Sequence, residues 1–124
     1  MAQEKNLENR IKQFLKDEGC YFIKYWGGGG FTKAGVPDLL ICCNGHFIAA
    51  ELKAENGKPS ELQIVALTKI QKAGGIGVLV FPEDEITFRQ LIMELRYSNM
   101  RQAYILQKKL EEKVEVWKEK YQII

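Results

Sequence analysis

Two acids and a lysine frame an otherwise apolar stretch: Asp38 follows Pro37, and Glu51 and Lys53 follow after LLICC, Asn44-Gly45 and HFIAA. Asn-Gly between two apolar runs predicts a two-residue type I′ hairpin turn, because that turn needs positive φ at both central positions. Counting outward from the turn, Cys43 faces His46, Cys42 faces Phe47, and Asp38 falls directly opposite Glu51. Opposed residues on antiparallel strands have Cβ atoms roughly 4.5–5.5 Å apart, where like charges are destabilising. A divalent cation turns that repulsion into shared coordination. Lys53, two residues beyond Glu51, points to the same face. Two carboxylates and an ammonium so placed can hydrolyse a phosphodiester. The acids hold Mg²⁺ or Mn²⁺, the cation polarises the phosphate and acidifies a water, and the lysine orients that water or stabilises developing charge. Magnesium keeps several waters and takes one or two carboxylates, which suits so sparse a set. Taken singly, Asp38 also fits a turn and Glu51 and Lys53 the solvated side of an edge hairpin; their facing register favours the chemistry.

The whole chain sets the bounds. Its 124 residues suffice for one core, with 46% hydrophobic and 27% charged residues, an ordinary globular balance. No stretch approaches the 18 or so apolar residues of a membrane span, and the first ten residues carry no apolar signal core, so a cytoplasmic setting is expected. Cys20, Cys42 and Cys43 lack the spacing of a zinc or redox site and read as reduced, buried thiols. His46 is the single histidine, which excludes most zinc-hydrolase and Ser-His-Asp schemes. A net charge of +2 permits a nucleic-acid partner without arguing for one.

The elements that must position these residues are legible in outline. Leu7, Ile11, Phe14 and Leu15 recur at helical spacing, and Gly19 suits the end of that helix. Cys20 to Trp26 reads as a strand. Gly27 to Gly30 and the residues through Gly35 read as a mobile loop. The Asp38–Lys53 hairpin follows. Ser60 caps a helix carrying Leu62, Val65, Ala66, Leu67 and Ile70, which ends at Gly74-Gly75. Ile76 to Phe81 is nearly continuous in apolar residues and predicts a buried strand with a parallel neighbour, reached by a βαβ crossover. Asp84 can cap a helix with Ile86, Phe88, Leu91, Ile92 and Leu95 inside. Ser98-Asn99 restarts or kinks it, and Leu106, Leu110, Val114, Trp117 and Tyr121 continue at helical spacing. The order is α-β-β-β-α-β-α-α: an α/β core over residues 1–98, with residues 99–124 as a C-terminal helical extension of the same domain.

Gly35-Val36-Pro37-Asp38 with Glu51-Leu52-Lys53 resembles the signature of the PD-(D/E)xK nuclease superfamily. The longer string GVPDLLICCNGHFIAAELK, followed by GKPSELQ and AGGIGVLV, is similar to the VRR-NUC family, known as small phage and bacterial proteins and as modules of larger repair enzymes. The resemblance spans about Glu8 to Phe81. It implies a restriction-endonuclease-like mixed sheet flanked by helices, dependence on Mg²⁺ or Mn²⁺, and hydrolysis of DNA, often at branched structures such as flaps and four-way junctions. Stand-alone members are similar to homodimeric junction-cutting nucleases, and a phage-encoded member would act in the host cytoplasm. The resemblance also implies an acid on the first helix and a glutamine on the helix after E-x-K, places matched by Glu8 and Gln63, and a metal contact from the Leu52 backbone carbonyl. Glu8 shares a helix face with Ile11 and Leu15, but it also suits an ion pair with Lys12. Gln63 suits an amide cap equally well.

Other features are less specific. Gly28, Gly29 and Lys33 in the glycine loop can approach DNA phosphates, and Lys24, on the strand before it, is read as facing the same cleft. Tyr25, Trp26 and Phe31 suit stacking on unpaired bases or core packing. The C-terminal helix packs on its own domain or forms a dimer seam. The function expected is thus Mg²⁺-dependent DNA endonuclease action on branched DNA. A restriction-type or exonucleolytic enzyme, or a DNA-binding protein without activity, are the alternatives.

Overall fold

A computed structural model describes residues 2–26 and 34–124. The chain runs α1 (Ala2–Asp17), β1 (Tyr21–Lys24), β2 (Leu39–Cys43), β3 (His46–Leu52), α2 (Glu61–Lys72), β4 (Ile76–Val80), a 3₁₀ turn (Pro82–Asp84), α3 (Glu85–Arg96) and α4 (Met100–Lys120). This is the element order read from the sequence, and the architecture is a mixed sheet flanked by helices. The strands lie in the order β1-β2-β3-β4, antiparallel across the first two pairs and parallel between β3 and β4.

The tight turn sets the central register. Asn44 and Gly45 both take positive φ, 49° and 83°, and Cys43 pairs with His46, Cys42 with Phe47 and Leu39 with Ala50. One further step along that ladder sets Asp38 beside Glu51. The α2 crossover then returns β4 parallel to β3, and two glycines let the helix sit close. A Cβ on Gly77 would come within 2.7 Å of the Leu67 carbonyl oxygen, and one on Gly75 within 2.9 Å of the Ile70 side chain.

Helices cover both faces of the sheet. On one, Leu7, Ile11 and Leu15 of α1 join Phe88 and Leu91 of α3, Leu106 and Leu110 of α4, and Leu39, Ile41, Ile48, Ala50 and Val78 from the strands. On the other, Ile64 and Leu67 of α2 meet Ala49, Leu79, Phe81 and Val114, with Trp117 and Tyr121 partly buried against them. Helix α4 therefore serves both cores. Trp117 near its end and Tyr121 just beyond it pack on the domain, and the Tyr121 hydroxyl donates to the Pro59 carbonyl oxygen at 2.6 Å.

Several local expectations change. Strand β1 is shorter than Cys20–Trp26, and Trp26 is exposed rather than in the core. Helix α2 buries Ile64, Leu67 and Thr68, while Leu62 is exposed. The close approach to Gly77 decides which stripe of that helix faces inward. Asp84 makes no side-chain cap on α3; its Oδ2 accepts from the Phe81 N–H and secures the preceding turn. Ile86, expected inside, is exposed on the first turn of α3, while Phe88, Leu91, Ile92 and Leu95 are buried. Asn99 caps α4, after a break at Ser98 with φ 63°. Of the three thiols only Cys43 is buried, and Cys42 is exposed. Among the described residues, no helix is long and apolar enough to cross a membrane.

Candidate active site

The site lies at one end of the sheet, where β1, β3 and β4 finish and β2 begins. Gly35 makes that entry possible: its φ is +82°, and a Cβ there would lie 2.6 Å from the Leu62 carbonyl oxygen. Only glycine has both the torsion and the clearance, so the Val36-Pro37-Asp38 segment is seated against the start of α2. Asp38 itself is anchored. Its Oδ2 accepts from the Leu52 N–H at 2.9 Å, and its backbone carbonyl accepts from the Tyr25 N–H.

Glu51 is 2% exposed, and its Oε2 lies 3.2 Å from Lys53 Nζ. Its Oε1 is buried with no hydrogen-bond partner among the described residues. Burial, with the neighbouring negative charge of Asp38, pushes the Glu51 carboxyl up to about 8 even though Lys53 pulls the other way. This is the repulsion anticipated from the hairpin register, and an orphaned, desolvated carboxylate oxygen beside a second carboxylate is an arrangement that a cation relieves.

Glu8 comes from α1 and Lys24 from β1. Glu8 is 6% exposed, facing inward as its spacing to Ile11 and Leu15 suggested, yet it also makes the Lys12 ion pair at 3.1 Å. Lys24 Nζ lies 2.9 Å from Glu8 Oε1 and 3.2 Å from Asp38 Oδ1, bridging the two acids. Burial would raise the Glu8 carboxyl, but hydrogen bonds from Lys24 and Lys12 outweigh it and bring it down to about 2. Lys24 shows the reciprocal balance: burial works against its charge, and contacts with Glu8 and Asp38 raise its pKa overall. Lys24 thus belongs to the acid cluster, which counting residues along β1 did not reveal.

The structure therefore gathers Glu8, Lys24, Asp38, Glu51 and Lys53. Gln63 has another engagement: its side-chain oxygen accepts from the Ser60 N–H at 2.8 Å while Ser60 Oγ accepts from the Gln63 N–H, a reciprocal capping box on α2. Leu52 gives its N–H to Asp38, and Lys53 donates its backbone N–H to the Val80 carbonyl. Gly28, Gly29, Phe31 and Lys33 lie outside the described residues. Among the described residues no group of three or more His, Cys, Asp or Glu side chains is gathered to hold a metal. Asp38 and Glu51 are two, and the ammonium of Lys24 stands between Asp38 and the third acid.

A mixed sheet with an acid at the start of one hairpin strand and Glu-x-Lys at the end of the other defines a nuclease of the PD-(D/E)xK superfamily. Within it, the family model described as archaeal Holliday junction resolvase (Hjc) matches residues 2–116, and the chain belongs to that family. Holliday junctions are four-way DNA structures, so membership makes this chain a structure-specific nuclease for branched DNA. The superfamily is the level shared by this match and the motif resemblance. No curated protein matches the chain.

Proposed function

We propose that the chain is an endonuclease that cuts four-way DNA junctions with the help of a divalent cation, Mg²⁺ or Mn²⁺, held by Asp38 and Glu51. The observation that carries this reading is the unpartnered oxygen of Glu51, buried beside Asp38. Hard oxygen donors suit such ions, and one or two carboxylates are the usual protein share for magnesium. When bound, the cation supplies Lewis-acid activation of the scissile phosphodiester and of the attacking water.

The remaining roles fall to the chain itself. The Leu52 N–H fixes one Asp38 oxygen and leaves Oδ1 toward the acid cluster. Lys53, its side chain 13% exposed and held at Glu51, presents an ammonium where negative charge develops on the phosphate. Glu8 supports the cluster from α1, and the Leu52 carbonyl is a further oxygen donor. Gln63 is read as a helix cap here, since its side-chain oxygen is already engaged. The glycine-rich segment with Gly28, Gly29 and Lys33 is proposed as a DNA contact.

A homodimer suits a four-way junction, because a twofold axis relates two sites to two symmetric strands. Residues 99–124 are read as part of the nuclease domain. The GVPD…ELK string also supports kinship with VRR-NUC nucleases, including phage and bacterial ones, and the setting would be the cytoplasm that holds the DNA.

The test is cleavage of labelled four-way junction, flap and duplex DNA in Mg²⁺, in Mn²⁺ and in EDTA. Wild type should cut the junction first and only with metal, and Asp38→Asn should not cut. Equal cutting of all three substrates would remove the junction assignment. Cleavage in EDTA would remove the metal.

A further inference from the structure

Lys24 stands next to the position that the proposed reading assigns to a cation, on the other side of Asp38 from Glu51. Its ammonium lies within 3.2 Å of one carboxylate oxygen from each of Glu8 and Asp38. Asp38 has two oxygens, and Oδ2 is taken by the Leu52 N–H at 2.9 Å. Of the two, Oδ1 is the oxygen not fixed by the backbone and so the readier one to share with a metal at Glu51, and it is the one Lys24 holds. A divalent ion binds carboxylate oxygen at about 2.1 Å, so ion and ammonium sharing Oδ1 would stand at most about 5 Å apart, where their repulsion is strong. Binding of the ion therefore favours withdrawal of the ammonium.

We propose that Lys24 is a built-in counter-cation that holds Glu8 and Asp38 together in the metal-free protein and is displaced when a divalent cation binds. The inference rests on the metal reading of Asp38 and Glu51. It explains why Glu8, the third acid of the cluster, is tied to an ammonium rather than grouped with the other two. It also gives the displaced side chain a place to go. The Trp26 ring, itself 70% exposed, lies with its centroid 5.6 Å from Lys24 Nζ and 5.7 Å from the Nζ of Lys5, which also pairs with Glu8. An ammonium moving from the acids along that ring face stays in a favourable contact while turning toward solvent, where a DNA phosphate can take it. Lys24 is then a positioning residue that couples metal loading to a positive charge exposed at the edge of the site.

The experiment is direct binding of Mn²⁺, without DNA, by calorimetry and by electron paramagnetic resonance, to wild type, Lys24→Met, Lys24→Arg and Asp38→Asn. Lys24→Met should bind at least about tenfold more tightly than wild type, because the ion no longer displaces a charge. A second bound ion, between Glu8 and Asp38, would also support the inference. Lys24→Arg should bind no more tightly than wild type. Should Lys24→Met fail to fold, wild type carrying ¹⁵N-lysine gives the same answer: the Lys24 ammonium resonance, assigned through Lys24→Arg, should shift and exchange faster on adding Mg²⁺. Unchanged affinity in a folded Lys24→Met, or an ammonium signal indifferent to saturating Mg²⁺, would overturn the role of Lys24 while binding lost in Asp38→Asn keeps the metal reading. No Mn²⁺ binding by any of the four proteins would overturn both.

Discussion

Replacing Glu51 with glutamine should make the metal-free protein more stable while it loses cleavage. The folded carboxyl titrates at about 8 against its ordinary 4.5, because burial and the Asp38 charge oppose ionisation. Below pH 4.5 both folded and unfolded chains hold the proton, and the group costs nothing. Between 4.5 and 8 the unfolded chain releases it and the folded chain retains it, so stability falls as pH rises. The slope is about 1.4 kcal/mol per pH unit, and above pH 8 the loss is complete, on the order of 5 kcal/mol. Glutamine carries no such dependence, and all other groups are common to both proteins. From pH 6 to pH 8.5 the stability gap should therefore widen by about 2–3 kcal/mol. With an unfolding entropy near 2.1 cal/mol/K per residue, each kcal/mol moves the Tm of a domain this size by about 4 °C. Thermal unfolding in EDTA should show the Glu51→Gln curve rising above wild type by about 10 °C more at pH 8.5 than at pH 6. Added Mg²⁺ should raise only the wild type and close the gap. Parallel pH profiles, or a variant less stable than wild type at pH 8.5, would show that Glu51 is not a constrained carboxylate and would remove the basis for a cation beside it.

Four shorter expectations follow from other residues. Lys53→Ala should lower the rate of junction cleavage by about 100-fold or more, the scale of losing a donor aimed at developing charge, with folding unchanged by circular dichroism. Gly35→Ala should destabilise the protein by about 1–3 kcal/mol, visible as a lower urea midpoint, because the residue takes φ +82° with 2.6 Å of clearance to Leu62. Ser60→Ala and Gln63→Ala should each cost about 1 kcal/mol in the same assay, the scale of a lost helix cap; if Gln63→Ala also suppresses cleavage where Ser60→Ala does not, Gln63 acts in the reaction as well. In acid, Glu8 contributes stability that is fully present above about pH 4.5 and is lost as pH falls toward 2, so Glu8→Gln should flatten the acid limb of the unfolding curve.

The central pair was legible because it depends on a local rule. Asn44-Gly45 dictates the turn, the turn dictates the register, and Asp38 and Glu51 sit in one alternating ladder. The parallel placement of β4 was legible for a related reason, since a strand buried on both faces has no alternation to display. Lys24 was not. Fourteen residues separate it from Asp38, with no tight turn to count from, and its reach to Glu8 depends on how α1 lies over β1. The inward stripe of α2 was misread for the same kind of reason: both Leu62 and Ile64 have suitable partners at i+3 and i+4. The choice is made by the bare Gly77 backbone, on a strand the helix meets only after folding. The VRR-NUC resemblance spans about Glu8 to Phe81, through the hairpin string, GKPSELQ and AGGIGVLV, whereas the family match covers residues 2–116 and so takes in α3 and most of α4.

The four buried polar or charged residues of the described chain separate structural need from function. Thr68 donates its hydroxyl to the Ile64 carbonyl one turn earlier, a bond internal to α2. Glu111 is held by Gln107 and Lys108 on its own helix. Glu8 has three lysines around it. Each could be kept for packing alone. Glu51 is different: Oε2 meets Lys53, Oε1 has no hydrogen-bond partner among the described residues, and the charge of a second acid, Asp38, is beside it. A buried charge normally persists only when paired, and a leucine or glutamine at this place would avoid the desolvation. A fold that satisfies its other buried polar side chains and leaves this one short is carrying a cost that stability does not explain. The proposed divalent-cation binding by Asp38 and Glu51 would account for it, at the place where a junction-cutting enzyme needs its charge.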